Sequence, residues 1–408
     1  MTDPQPRVTE LTFEEEELAR IDLPGGTLRV VRGLGSGLCT DAQGRVWAVG
    51  DRGPNLSVRL AVERYGLRAA ARHAALDGAK VMPRPDIGPA LAELKVRGDR
   101  VHVARVSPLT AADGAPLTGL PAPGTGHAAD EPAIGLDGEP IAPDPTGADT
   151  EGIAPAGAGV FWVGDEYGPS LLRVRADGRV LDRLVPAGTE GAFAGSRVPV
   201  RGVLPPIAAR RRLNRGFEAL AATGDGALFL AFQSGLSHPD EAAHRDARHA
   251  RLWRLRPETG RVAAEWLYPF DAPGTFRRDA ERGPVEWRDL KVSELLPLPG
   301  GRLLVLERGS ATTKLHLVEP READALDRAF RALETRPTLE QLSARGATEL
   351  PTLTKRLLLS SDDEPALGPD LEGMALLPDG SLLLVNDNDF GVEGVRTRFW
   401  RVEGLLPT

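Results

Sequence analysis

Five segments of this 408-residue chain repeat one pattern, and that repeat constrains the fold more than any other feature. Each unit has a small or acidic residue, a hydrophobic stretch, a turn with glycine, a second hydrophobic strand and a polar end. The units run Gly35-Ser36-Gly37-Leu38 to Gly50-Asp51-Arg52-Gly53, Thr150-Glu151-Gly152-Ile153 to Gly164-Asp165-Glu166-Tyr167, and Phe217-Glu218-Ala219-Leu220 to Phe232-Gln233. The last two run Val292-Ser293-Glu294-Leu295 to Leu306-Glu307-Arg308 and Leu371-Glu372-Gly373-Met374 to Asn386-Asp387-Asn388-Asp389. In all five, the turn glycine follows the first marked position by eight residues: Ser36 to Gly44, Glu151 to Gly159, Glu218 to Gly226, Ser293 to Gly301 and Glu372 to Gly380.

Each unit reads as a β-hairpin. Asp225-Gly226, Gly300-Gly301 and Asp379-Gly380 supply turn residues that tolerate positive φ. The strands that follow, Leu228-Phe229-Leu230-Ala231-Phe232 and Leu382-Leu383-Leu384-Val385, are apolar on both faces and so belong between packed sheets. The fold class is therefore all-β: a single β-propeller. The interval from Ser36 to Glu151 is long enough for two units, and Leu91 to Gly98 with Val101 to Ala104 reads as a degenerate one. Six blades are expected, with seven or five as alternatives. Residues 1–27 form an N-terminal segment and 28–408 the propeller. Leu28 to Val31 is expected to close the ring with Arg398 to Val402, hiding the sheet edges. Two insertions interrupt the pattern: a Pro/Gly/Ala-rich loop at 108–148 and a partly helical stretch at 320–348, with Leu326, Phe330 and Leu333 at helix-like spacing.

Composition narrows the partners. A net charge of −8 offers no basic excess for nucleic acid. No run approaches the ~20 apolar residues of a membrane span. The acidic start, Glu14 to Glu17, has no signal-peptide core, so the chain as written reads as cytoplasmic, or exported if a leader has been removed. Cys39, alone, can form no intrachain disulfide and reads as a small buried residue. The seven histidines show no zinc spacing, and no serine-hydrolase elbow, Walker loop or dinucleotide fingerprint is present.

The chemistry concentrates at repeated acids. Asp149-Thr150-Glu151-Gly152-Ile153-Ala154 and Asp370-Leu371-Glu372-Gly373-Met374-Ala375 share one pattern, and Glu218 keeps the glutamate. Equivalent positions of a propeller sit at equal height, so Glu151, Glu218 and Glu372 are expected to converge at the channel mouth. Packed together they repel unless a cation lies among them, Ca²⁺ first and Mg²⁺ or Mn²⁺ next. The alternative is that each accepts backbone amide hydrogen bonds from the neighbouring blade. Strand ends add Asp165 and Asp387 as candidate metal ligands beside the three glutamates. The Asp387 stretch reads equally as an Asx-rich turn. Arg308 is a candidate for gripping an anionic substrate, with Arg52, Lys291 and Lys314 as further cations or surface ion pairs.

Taken together, these motifs resemble the phytase-like family, described as having esterase-like activity of phytase. The resemblance spans about residues 30–402. It implies a propeller with acidic site residues that hydrolyses phosphoesters or esters. The leading expectation is a Ca²⁺-dependent phosphoester hydrolase acting on a small anionic or ester substrate. Glu151, Glu218 and Glu372 would act as ligands or general base, and Arg308 would hold the phosphate. A carboxylic-ester or lactone hydrolase at the same site is the nearest variant, and a non-catalytic binding propeller the alternative class.

Overall fold

The computed structural model describes residues 6–124, 131–346 and 350–406. Residues 125–130 of the expected 108–148 loop and 347–348 of the expected helical insertion lie outside them, as do 1–5 and 407–408. Five antiparallel sheets carry the repeat, one unit each. Sheet I holds Gly37–Thr40, Val46–Val49, Ala90–Arg97 and Arg100–Pro108. Sheet II holds Thr150–Gly157, Val160–Asp165, Ser170–Arg175 and Val180–Pro186, with Val200–Leu204 added in parallel at its edge. Sheet III holds Phe217–Ala222, Leu228–Phe232, His249–Arg256 and Arg261–Pro269, and sheet IV Lys291–Leu298, Arg302–Arg308, Thr313–Val318 and Lys355–Ser360. Sheet V holds Leu371–Leu376, Leu382–Asn386, Phe399–Glu403 and, last, Arg7–Leu11 from the other end of the chain.

The first strands of neighbouring sheets touch in the cyclic order I, II, III, IV, V and back to I. Five separate apolar cores fill the five gaps. Trp47, Leu172 and Val163 lie between I and II, and Phe217, Leu230 and Leu184 between II and III. Trp266, Leu295 and Val305 lie between III and IV, Leu306, Leu384 and Trp400 between IV and V, and Leu38, Ala92 and Leu383 between V and I. The apolar strands Leu228–Phe232 and Leu382–Asn386 are buried along their whole length. The five turn glycines, Gly44, Gly159, Gly226, Gly301 and Gly380, all take positive φ, between 71° and 84°.

Two expectations are corrected. The segment read as a sixth unit, Leu91 to Gly98 with Val101 to Ala104, supplies the outer strands of sheet I, whose inner strands are the first unit itself. Five such sheets, rather than six, are found among the described residues. The rest of the long interval builds a covering layer. It includes the short strands Leu56–Ser57, Lys80–Val81 and Ala133–Ile134 and a helix, Val58–Glu63, whose Ser57 hydroxyl accepts from the Leu60 amide at 3.1 Å. Ring closure also differs. Arg7–Leu11, not Leu28 to Val31, pairs with Phe399–Glu403, with Leu11 opposite Phe399. Leu28, Val30 and Val31 are buried as their apolarity demands, but in a hairpin with Glu17–Leu23 that belongs to the covering layer. Residues 6–27 are thus part of the closed structure.

The stretch from 320 is not one helix. Two 3₁₀ turns, Glu322–Asp324 and Arg328–Arg331, precede a single α-turn, Leu339–Ala344, capped by Thr338 and Gln341 reciprocally. Leu326 and Leu339 dock on Leu267 at the rim of sheet III.

Candidate metal and active site

The hub is layered along the first strands. At the repeat's marked position stand Ser36, Glu151, Glu218, Ser293 and Glu372; one step on come Gly37, Gly152, Ala219, Glu294 and Gly373. Sheets II to V each break register at or beside the marked position, between Thr150 and Ile153, Phe217 and Ala219, Val292 and Glu294, and Leu371 and Gly373. These are β-bulges, and a bulge re-aims the unpaired side chain. The next layer must be small because the strands crowd there: a Cβ on Gly152 would lie 2.0 Å from the Glu218 carbonyl oxygen. Glu294 is the exception. Its fully buried carboxylate accepts from the Leu38 amide of sheet I at 3.1 Å and from its own neighbour Leu295 at 3.0 Å, and also from the Met374 amide of sheet V. Burial pushes its pKa well above the carboxylate range. The role once open to the repeated glutamates, accepting amides from a neighbouring sheet, falls to this residue.

Above that layer lies a cavity of about 230 Å³ with no apolar side chain in its lining. Nine carboxyl groups face it (Asp51, Asp149, Glu151, Glu166, Glu218, Asp370, Glu372, Asp387 and Asp389) against four cations, Arg52, Lys80, Lys291 and Arg308. The structure brings together Glu151, Glu218, Glu372, Arg308 and Asp387 as expected. Asp165 is not among the lining residues. It is fully buried behind the strand end, where it accepts from the Ser170 hydroxyl at 2.7 Å and from the amides of Tyr167 and Asp149, with Arg183 3.7 Å away. Its neighbour Glu166 faces the cavity instead. The spacing carries the signal: Asp51, Glu166, Gln233, Arg308 and Asp387 each follow their turn glycine by seven residues, and all five line the cavity.

The cavity has two ends of unlike character. On one side Arg52, stacked 4.8 Å from the Tyr167 ring centroid, donates to Asp149 Oδ2 and Glu131 Oε1, each at 2.9 Å. That leaves the buried Asp149 Oδ1 with no partner among the described residues. Asp51 lies at hydrogen-bonding distance from Asp149. Burial, and next the charge of Asp149, push the pKa values of Asp51 and Glu151 well up. Asp387 is pushed up to about 8 by burial and by Asp389. One ligand atom each from Asp51, Asp149 and Glu151 lie within 4.8 Å of one another, and likewise from Asp51, Asp387 and Asp389.

On the other side, Arg308 donates to the Ser293 hydroxyl and Asp370, each at 2.8 Å, and to Glu372. Glu218 accepts from Ser293 Oγ at 2.7 Å and from Gln233. Glu218 and Glu372 are therefore occupied by protein donors, whereas Glu151 is the marked-position glutamate that joins one of the two acid triads. The Lys291 ammonium makes no side-chain hydrogen bond or close ion pair among the described residues, though Glu218 and Asp370 attract it; burial, then the charges of Arg308 and Arg215, pull its pKa down to about 8. Lys314, another cation considered for the substrate, is spent elsewhere, on Asp271 at 2.8 Å. No helix of the described residues is long and apolar enough to cross a membrane.

Comparison with known proteins places this geometry. A curated protein of Arthroderma benhamiae, named an uncharacterized secreted protein, is 28% identical over 301 residues, 66% of this chain and 55% of that protein. The chain thus spans just over half of that relative's length, and the relative's name gives the cytoplasmic expectation no support. Among solved structures, a protein of unknown function from Bacteroides caccae is 12% identical, with 61% of this chain and 57% of that one covered at a TM-score of 0.29. The PQQ-bound aldose sugar dehydrogenase of Streptomyces coelicolor is 11% identical, with 92% and 97% covered at 0.35. Likenesses this slight bear on neither fold nor activity. A family model, by contrast, matches residues 29–390, from the covering hairpin to the acidic end of sheet V. The chain belongs to the phytase-like family, described by its esterase-like activity of phytase.

Proposed function

We propose that the acid cavity is the active site of a divalent-cation-dependent phosphoester hydrolase. The observation that carries this reading is the polar cavity itself, with the Asp51, Asp149, Glu151, Asp387 and Asp389 carboxyls clustered at one end and Lys291 and Arg308, set among Glu218, Asp370 and Glu372, at the other. Carboxylate oxygens at these separations suit a hard cation, Ca²⁺ first and Mg²⁺ or Mn²⁺ next. Such a cation, when bound, polarises a phosphoryl oxygen and lowers the pKa of an attacking water.

The chain's own residues do the rest. Lys291, whose ammonium no carboxylate holds in a close ion pair among the described residues, meets the anionic oxygens of the ester, and Arg308, fixed by Ser293 and Asp370, backs it with a second charge. Glu166, with its buried Oε1 unpartnered, is the candidate base, and burial and the charge of Glu218, which push its pKa up, strengthen it in that role. The two cations favour an anionic ester over a neutral one. The relative's name supports an exported setting for this activity.

The test is a panel of phosphomonoester, phosphodiester, carboxylic-ester and lactone substrates, with Ca²⁺ and with a chelator. Phosphoester turnover that chelation removes and Ca²⁺ restores is the expected result. Turnover of neutral esters alone would move the activity to that class. No turnover of any substrate would leave a binding protein.

A further inference from the structure

We infer that the cavity holds two divalent cations side by side, with Asp51 as the carboxylate shared between them. This rests on the cation-dependent reading above and goes beyond it in number and arrangement. Oxygens around one hard cation at about 2.4 Å can be no farther apart than about 4.8 Å, the distance across the ion. The triads Asp51–Asp149–Glu151 and Asp51–Asp387–Asp389 each meet that limit. They do not merge: among the described residues no larger group satisfies it, so the five acids do not close on a single ion. Asp51, the only member of both, comes from sheet I, between the Asp149 strand end of sheet II and the Asp387 turn of sheet V. Paired ions about 3.5–4 Å apart are the spacing a bridging carboxylate sets.

An independent observation points to a ligand here. Asp149 is 1% exposed, and Arg52 takes only its Oδ2. Its Oδ1, buried in the cavity wall, has no partner among the described residues. Asp51 approaches Asp149 to hydrogen-bonding distance, where two carboxyl groups need a shared proton or a cation between them. A cation there supplies the missing partner of Asp149 Oδ1; Asp387, which faces the same cavity, accepts from the backbone amides of Asn388, at 2.8 Å, and Asp389.

The experiment strips the full chain with chelator and titrates it with Mn²⁺, reading stoichiometry by equilibrium dialysis and spin coupling by electron paramagnetic resonance. The expected result is two Mn²⁺ per chain with an exchange-coupled spectrum. Asp389→Asn, at an exposed position, should bind one ion with an uncoupled six-line spectrum; Asp149→Asn should also bind one, and Asp51→Asn should lose the coupling. Circular dichroism checks that each variant is folded. One uncoupled ion in the wild type would overturn the paired site while leaving a cation-dependent hydrolase standing. No bound ion, with turnover indifferent to chelator, would overturn both.

Discussion

Asp165 and Glu166 are adjacent, both acidic and both buried, yet only Glu166 faces the cavity. Neighbouring residues of a strand point to opposite sides, so a one-residue error in register exchanges a ligand for a scaffold residue. Asp165 is scaffold: it holds the turn Asp165–Ser170 and neutralises Arg183. Asp165→Ala should therefore cost about 3 kcal/mol or more, read by urea denaturation, because the buried Arg183 loses its counter-charge and keeps only the Gly147 and Pro145 carbonyls. His249 gives a second prediction. Burial, then Arg248 and Lys355, lower its pKa from 6.5 to about 4, so the folded state binds its proton less readily than the unfolded chain. Stability from this residue is complete above pH 6.5 and is lost as pH falls toward 4. Denaturation at about pH 7.5 and about pH 5 should show a smaller loss in His249→Gln than in the wild type.

At the scale of the element, the bulged first strands place the chemistry. Gly152 sits where the next strand's backbone passes, and Gly152→Ala should cost about 1–3 kcal/mol and disturb Glu151. Gly224→Ala, where nothing lies within 4 Å, should change the melting transition little. The hairpins were legible because a turn glycine at fixed spacing is a local signal, and all five take the positive φ that the spacing required. The bulges were not, since register belongs to pairs of strands rather than to one. Glu294 was legible in principle as the one large residue in a row of Gly and Ala. Ring closure was misread because Arg7–Leu11, which mixes polar and apolar residues as an outer strand does, is a weaker signal than the apolar Leu28 to Val31, and only the packing assigns them. Removing the chain through Leu11 should cost more than about 2 kcal/mol and bare an open edge on Phe399–Glu403. Thermal melts and light scattering would show a lower transition and concentration-dependent association.

For the whole molecule, repetition explains both stability and function. Five similar sheets bury five apolar cores between them and bring equivalent positions to one hub, so two short repeated signals, eight residues before and seven after each turn glycine, become facing rings of polar side chains. Divergence within those rings makes the site: serines at Ser36 and Ser293, Arg308 in place of an acid, and Gln233 beside Glu218 turn a symmetric acidic mouth into one whose acids are paired with protein donors on one side and crowd one another on the other. The covering layer, through Asn55 and Lys80, completes one wall. The central claim is that this hub is catalytic, and Glu151→Gln tests it most directly, because the change keeps shape and removes one ligand charge. Phosphoester turnover in saturating Ca²⁺ should fall by about a hundredfold or more at an unchanged melting temperature. Turnover equal to the wild type in a folded variant would contradict it.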